Sequence, residues 1–131
     1  MNIPEIYINV IKGLLQKSVS KEVIWDITTD ANIFVVYFKD SSLTLRQHSN
    51  QNETWYSVNI IDYKGDEIDS FWIDSETIDD YSIISELFSI ARRSALAIDN
   101  TVQNMLSEIN SKGIIGNKKK NNDGFTDDIP F

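Results

Sequence analysis

Between residues 22 and 73 the apolar side chains recur every second residue, and on either side of that stretch they recur every three to four. A period of two belongs to strands and a period near 3.6 to helices. A chain that changes period twice, with the strands in one uninterrupted block, has few folds open to it. Strands joined by short turns pair antiparallel, and the flanking amphipathic helices must bury their apolar stripes against the resulting sheet. The expectation is an α+β protein with an N-terminal helix, a sheet of about five antiparallel strands and two C-terminal helices.

The segments follow from local chemistry. Residues 4–17, PEIYINVIKGLLQK, read as the first helix. Pro4 suits its first position and Glu5 its positive end, and Tyr7, Val10, Ile11, Leu14 and Leu15 form the stripe. Residues 22–28 alternate as a strand, with Val23, Trp25 and Ile27 on one side. IFVVYF at 33–38 is apolar throughout and reads as a central strand. LTLRQ at 43–47 follows a Lys-Asp-Ser-Ser turn, and HSNQNE at 48–53 reads as a polar loop with His48 exposed in it. WYSVNII at 55–61 and IDSFWI at 68–73 complete the meander, joined by a turn in which Gly65 supplies a positive φ. Helical period returns with Ile83, Ile84, Leu87, Phe88, Ala91, Ala95 and Ile98. A single helix from 82 to 110 would be long for so small a domain. Asn100 with Gln103 has capping-box spacing. This predicts a break there, with helices over 81–97 and 101–111 and with Val102, Met105, Leu106 and Ile109 packing in the second.

At residue 112 the composition changes. SKGIIGNKKKNNDG is rich in glycine, lysine and asparagine, a mixture that buries too little surface to offset its ordering entropy. The expected organisation is one α+β domain over 1–111, a disordered linker over 112–124 and a short terminal segment over 125–131.

Composition then removes whole classes of chemistry. There is no cysteine and one histidine, His48. Thiolate nucleophiles, iron–sulfur clusters and multi-histidine metal sites are therefore excluded within one chain. No P-loop, dinucleotide fingerprint or zinc-protease motif occurs. Asp62, Asp66, Glu67 and Asp69 read as a solvated hairpin edge, and no cofactor or metal is expected. No apolar run approaches a membrane span and no signal-peptide order is present, so the expectation is a cytoplasmic, non-enzymatic protein.

The last residues are the informative ones. They run Gly124-Phe125-Thr126-Asp127-Asp128-Ile129-Pro130-Phe131. Carboxylates precede an apolar triplet whose final ring carries a terminal carboxylate. That arrangement suits a basic-rimmed apolar pocket, and Pro130 lowers the entropy lost on docking. Asp127-Asp128-Ile129-Pro130-Phe131 resembles the C-terminal tip of bacterial single-stranded DNA-binding proteins, which end in an acidic stretch followed by Ile-Pro-Phe on a flexible linker. The resemblance implies partners with pockets for that tip: helicases, nucleases, primosome or clamp-loader subunits. Phe131 would be the plug, Pro130 the stiffener and Asp127 and Asp128 the electrostatic steer. It covers five to nine residues. The rest of the chain does not resemble the OB-fold of that family.

Two readings of the body follow, both in DNA replication, repair or recombination, and a phage, prophage or plasmid origin suits either. In the first, the sheet binds single-stranded DNA. Trp55, Tyr56 and Trp72 are candidate stacking platforms, and Lys39, Arg46, Lys64, Arg92 and Arg93 are candidate phosphate contacts. In the second, the chain is an acidic mimic, adaptor or inhibitor of host DNA-processing enzymes and binds no DNA. Charge favours the second: residues up to 116 carry nine basic and seventeen acidic side chains, and phosphate meets repulsion on average. Two free sheet edges and an apolar helix face also allow pairing with a second copy.

Overall fold

A computed structural model describes residues 2–116. The described residues divide into two units, which part between Ile98 and Asp99. The first holds the sheet and two helices. The element order is α1 (Glu5–Val19), β1 (Asp26–Ile27), β2 (Ile33–Tyr37), β3 (Ser42–Ser49), β4 (Thr54–Ile61), β5 (Glu67–Ile73), α2 (Ile78–Ala95) and α3 (Ile98–Asn110). The strands form one antiparallel meander in chain order. The fold is α+β, as the change of period predicts. Among the described residues no helix is long and apolar enough to cross a membrane.

Helix α1 begins after Pro4, with Glu5 in its first turn and Lys17 in its last. Ile11, Leu14 and Ser18 are buried, whereas Val10, expected in the apolar stripe, stands 41% exposed. The helix ends through Lys21 at φ 62°, which lets the Glu22 amide reach back to the Lys17 carbonyl at 2.8 Å. Strand β1 is two residues rather than seven, because only Asp26 and Ile27 find partners, on Val35 and Phe34. Trp25 just before it is buried, its indole N–H donating to the Ser18 hydroxyl at 3.0 Å. Ile27 is 57% exposed and does not continue the apolar side that Val23 and Trp25 begin. Strand β2 is paired on both sides, with β1 and with β3, as an interior strand.

Alternation along the strands sorts the side chains into two faces. Phe34, Val36, Leu43, Leu45, Tyr56, Val58, Phe71 and Ile73 belong to the core, packed with Ile11 and Leu14 of α1 and Ile84, Leu87, Phe88 and Ala91 of α2. Tilted aromatic contacts tie the layers, with Phe34–Phe88 and Tyr56–Phe88 ring centroids both 5.4 Å apart. Both helices cover this one face. The β4–β5 turn closes with Gly65 at φ 89°, as the sequence requires, its amide donating to the Asp62 carbonyl at 3.0 Å. A bulge between Ile60 and Ile61 follows at the start of β5.

The helix break lies two residues earlier than expected. Leu96 caps α2, and Ala97 takes φ 53°, so that its amide bonds the Ser94 carbonyl. Helix α3 starts at Ile98, which places Asn100 inside the helix rather than at its cap. None of its residues is buried. Val102, Met105, Leu106 and Ile109, expected to pack, are 42–59% exposed. Residues 112–116 follow without regular structure, all exposed. The rest of the expected linker and the segment 125–131 lie outside the described residues.

Candidate functional site

The other face of the sheet is covered by neither α1 nor α2. Register fixes what stands there. Ile33 pairs with Arg46, Arg46 with Ser57 and Ser57 with Trp72, one row across four strands. A parallel row runs Val35, Thr44, Asn59, Ser70, and a third pairs His48 with Trp55. Val35 is buried at 4% exposure, and the other members form a shallow groove. The groove encloses about 730 Å³ and also takes in Asn50, Glu53 and Asp74 at its rim.

Aromatic rings dominate one end. The His48 ring lies flat on Trp55, 5.3 Å between centroids and 5° between planes. Its Nε2 and the Ser57 hydroxyl share a hydrogen bond of 2.8 Å. Burial lowers the His48 pKa below its ordinary 6.5, and the Arg46 charge lowers it further, against a weaker opposing pull from Asp30. The imidazole is thus predominantly neutral at pH 7. Trp72 stands 46% exposed on the adjacent strand, diagonal to Trp55 across the sheet.

The charges around these rings are fixed by turns. Asp30 sits in the loop before β2, which the Thr28 hydroxyl pins by donating to the Asp30 and Ile33 carbonyls. Its carboxylate lies 3.7 Å from the Arg46 guanidinium. Glu53 sits in the β3–β4 turn, where Asn50 Oδ1 accepts from the Asn52 and Glu53 amides. Asp74 follows β5 and accepts the Glu76 amide. The lining therefore holds one cation, already beside a carboxylate, and two acids at the end where Trp55 and Trp72 stand.

The sequence candidates scatter when placed on this frame. Trp55 and Trp72 share the open face. Tyr56 does not: it points inward, 4% exposed, with its hydroxyl between Gln47 and Ser85. Strict alternation sends it to the face opposite Trp55. Lys39 and Lys64 lie in the β2–β3 and β4–β5 turns, at the end of the sheet away from His48 and Trp55, six residues or roughly 20 Å along the strands. Lys64 is 5.9 Å from the Tyr63 ring. Arg92 and Arg93 are in the last turn of α2, on the helical side of the sheet. Only Arg46 joins the tryptophans. Asp127, Asp128, Ile129, Pro130 and Phe131 lie outside the described residues.

His48 was not among the candidates. Strand β3 runs through Ser49, so the residue expected in a loop belongs to the outward series Thr44, Arg46, His48. Carrying the alternation of LTLRQ two residues further would have found it. Among the described residues no group of three or more His, Asp or Glu side chains is placed to hold a metal ion.

Fold and site together define a helix-backed antiparallel meander with an open, aromatic, acid-rimmed face. No known protein family matches the chain, and no curated protein or solved structure does either.

Proposed function

We propose that this protein is a non-enzymatic docking protein of DNA metabolism that engages partner enzymes through Asp127–Phe131, with the acidic body as carrier. The observation that supports it is the segment Asp127-Asp128-Ile129-Pro130-Phe131, similar to the tip that single-stranded DNA-binding proteins use to recruit helicases, nucleases and replication subunits. Charge on the body agrees with an adaptor or competitor, because phosphate would meet net repulsion. Displacement measures the docking directly. The full chain should release a labelled tail peptide of a bacterial single-stranded DNA-binding protein from a helicase that holds it. Phe131→Ala should reduce that competition by tenfold or more. Asp127→Asn with Asp128→Asn should weaken it as well, because the acids are expected to steer the docking. Undiminished competition by either variant would sink the reading.

A second reading has one observation in its favour. Trp55, Trp72 and His48 stand on an open sheet face, and stacking on such rings contributes about 1–3 kcal/mol per base. In that reading the sheet also holds single-stranded DNA, and the tip recruits enzymes to it. An oligothymidine that binds in a salt-sensitive way, and loses affinity in Trp72→Ala, would establish it.

A further inference from the structure

The groove has a chemistry of its own that does not depend on the tip. Its rings are those of Trp72, 46% exposed, and of Trp55, half-buried under His48, and the face of tryptophan attracts cations more strongly than that of tyrosine or phenylalanine. Glu53 and Asp74 flank them at the rim. In the register of β4 and β5, Tyr56 pairs with Ile73, which sets Trp55 beside the position of Asp74. The cation on this face, Arg46, has Asp30 at 3.7 Å to offset it. Ser57, Asn59, Ser70 and Thr44 supply neutral hydrogen-bonding groups on the floor. A phosphate would approach two carboxylates. A planar cation would find the Trp72 ring to lie on and acids to meet its edges, and a guanidinium does both at once.

We infer that the open sheet face is a docking site for an arginine-bearing basic segment of a partner protein, held on the exposed ring of Trp72 and by Glu53 and Asp74 at the rim. The ligand class is a guanidinium on an extended or irregular peptide. The chain then has two recognition elements of opposite preference. The body takes positive charge, and the proposed tip takes a pocket on another protein.

Calorimetric titration of the full chain with an acetylated, amidated peptide of six arginines tests the proposal, alongside an oligothymidine under the same conditions. The peptide should bind and the oligothymidine should not. Trp72→Ala should weaken the peptide about fivefold, in line with a single cation–ring contact at an exposed site. Trp72→Leu, which keeps apolar bulk, should weaken it equally. The pair Glu53→Gln and Asp74→Asn should cost about tenfold. Removing two charges at the far end of the sheet, Asp40→Asn with Asp66→Asn, should change affinity less than twofold. If that distant pair costs as much as the rim pair, the attraction is only the net charge of the chain and the site is refuted. Peptide affinity unchanged in both Trp72 variants refutes it as well. So does an oligothymidine that binds where the peptide does not. Phe131→Ala should leave every one of these titrations untouched, so failure of the tip reading and failure of the groove reading are separable.

Discussion

The two faces of this sheet are built from alternate residues of the same strands, and they obey different rules. On the inner face Phe34, Leu45 and Val58 are fully enclosed, and polar atoms are rare and paired. On the outer face Arg46, His48, Ser57 and Trp72 stand in or near water, the first three each oriented by a neighbour. The inner face is selected for volume and the outer for chemistry. What separates them is one residue of phase, so a single slip of register would exchange core and site. The bulge between Ile60 and Ile61 therefore sits where it does least harm, at the turn end of β4, beyond the rows that make the groove.

The sharpest way to break the comparison is to truncate one large residue on each face. Phe34→Ala should cost about 3–5 kcal/mol in urea unfolding, since the Phe34 ring packs on Phe88 in a closed core. Trp72→Ala removes a larger side chain, yet it should alter stability by less than about 1 kcal/mol, because Trp72 is already half in water. Comparable losses at the two sites would mean that the outer face is covered after all.

A smaller effect tests whether the buried polar contact behind β1 is structural. Ser18→Ala leaves the Trp25 indole N–H without its acceptor in a buried position. The expected cost is about 1–3 kcal/mol by thermal unfolding. Ser18→Thr, which keeps the hydroxyl, should recover part of it. A neutral Ser18→Ala would show that water reaches the indole.

The smallest effect is the most specific to the outer face. Burial and Arg46 hold the His48 pKa below its value in an unfolded chain. The unfolded state then takes up a proton first as pH falls. Stability from the neutral ring is complete above about 6.5 and is lost as pH drops through the folded value. His48→Gln should flatten that slope, read from unfolding curves between pH 7 and pH 5. Docking of the arginine peptide should weaken over the same range, because the charged ring joins Arg46 against Glu53, Asp74 and Asp30. Peptide affinity that rises on acidification would contradict the proposed ligand class.

Much of the inner face was legible in the sequence. Leu43 with Leu45, Ile84 with Leu87 and Phe88, and the Gly65 turn all announce themselves by period or by conformational need. The outer face was legible only in part. Alternation shows that Trp55 and Tyr56, and Phe71 and Trp72, must separate, but not which member faces water. That depends on which face the helices cover. The extent of β1 was hidden for a related reason. Seven residues alternate, but only those opposite Val35 and Phe34 find a partner, and pairing is a property of two segments rather than one. His48 escapes a reading that ends the strand where the sequence turns continuously polar, although an uncovered face is where polar residues belong. The break at Ala97 escaped because a left-handed alanine has no compositional mark.

The three tryptophans described above occupy three different settings. Trp25 is enclosed and hydrogen-bonded, Trp55 carries an imidazole on its face, and Trp72 is half in solvent. Their emission should therefore be resolvable into three colours and three lifetimes. The enclosed indole reports global unfolding, the solvent-facing one reports occupancy of the groove, and the stacked one dims when the ring above it gains a proton. The molecule carries its own optical instrument, with separate channels for folding, binding and acidity and no label required.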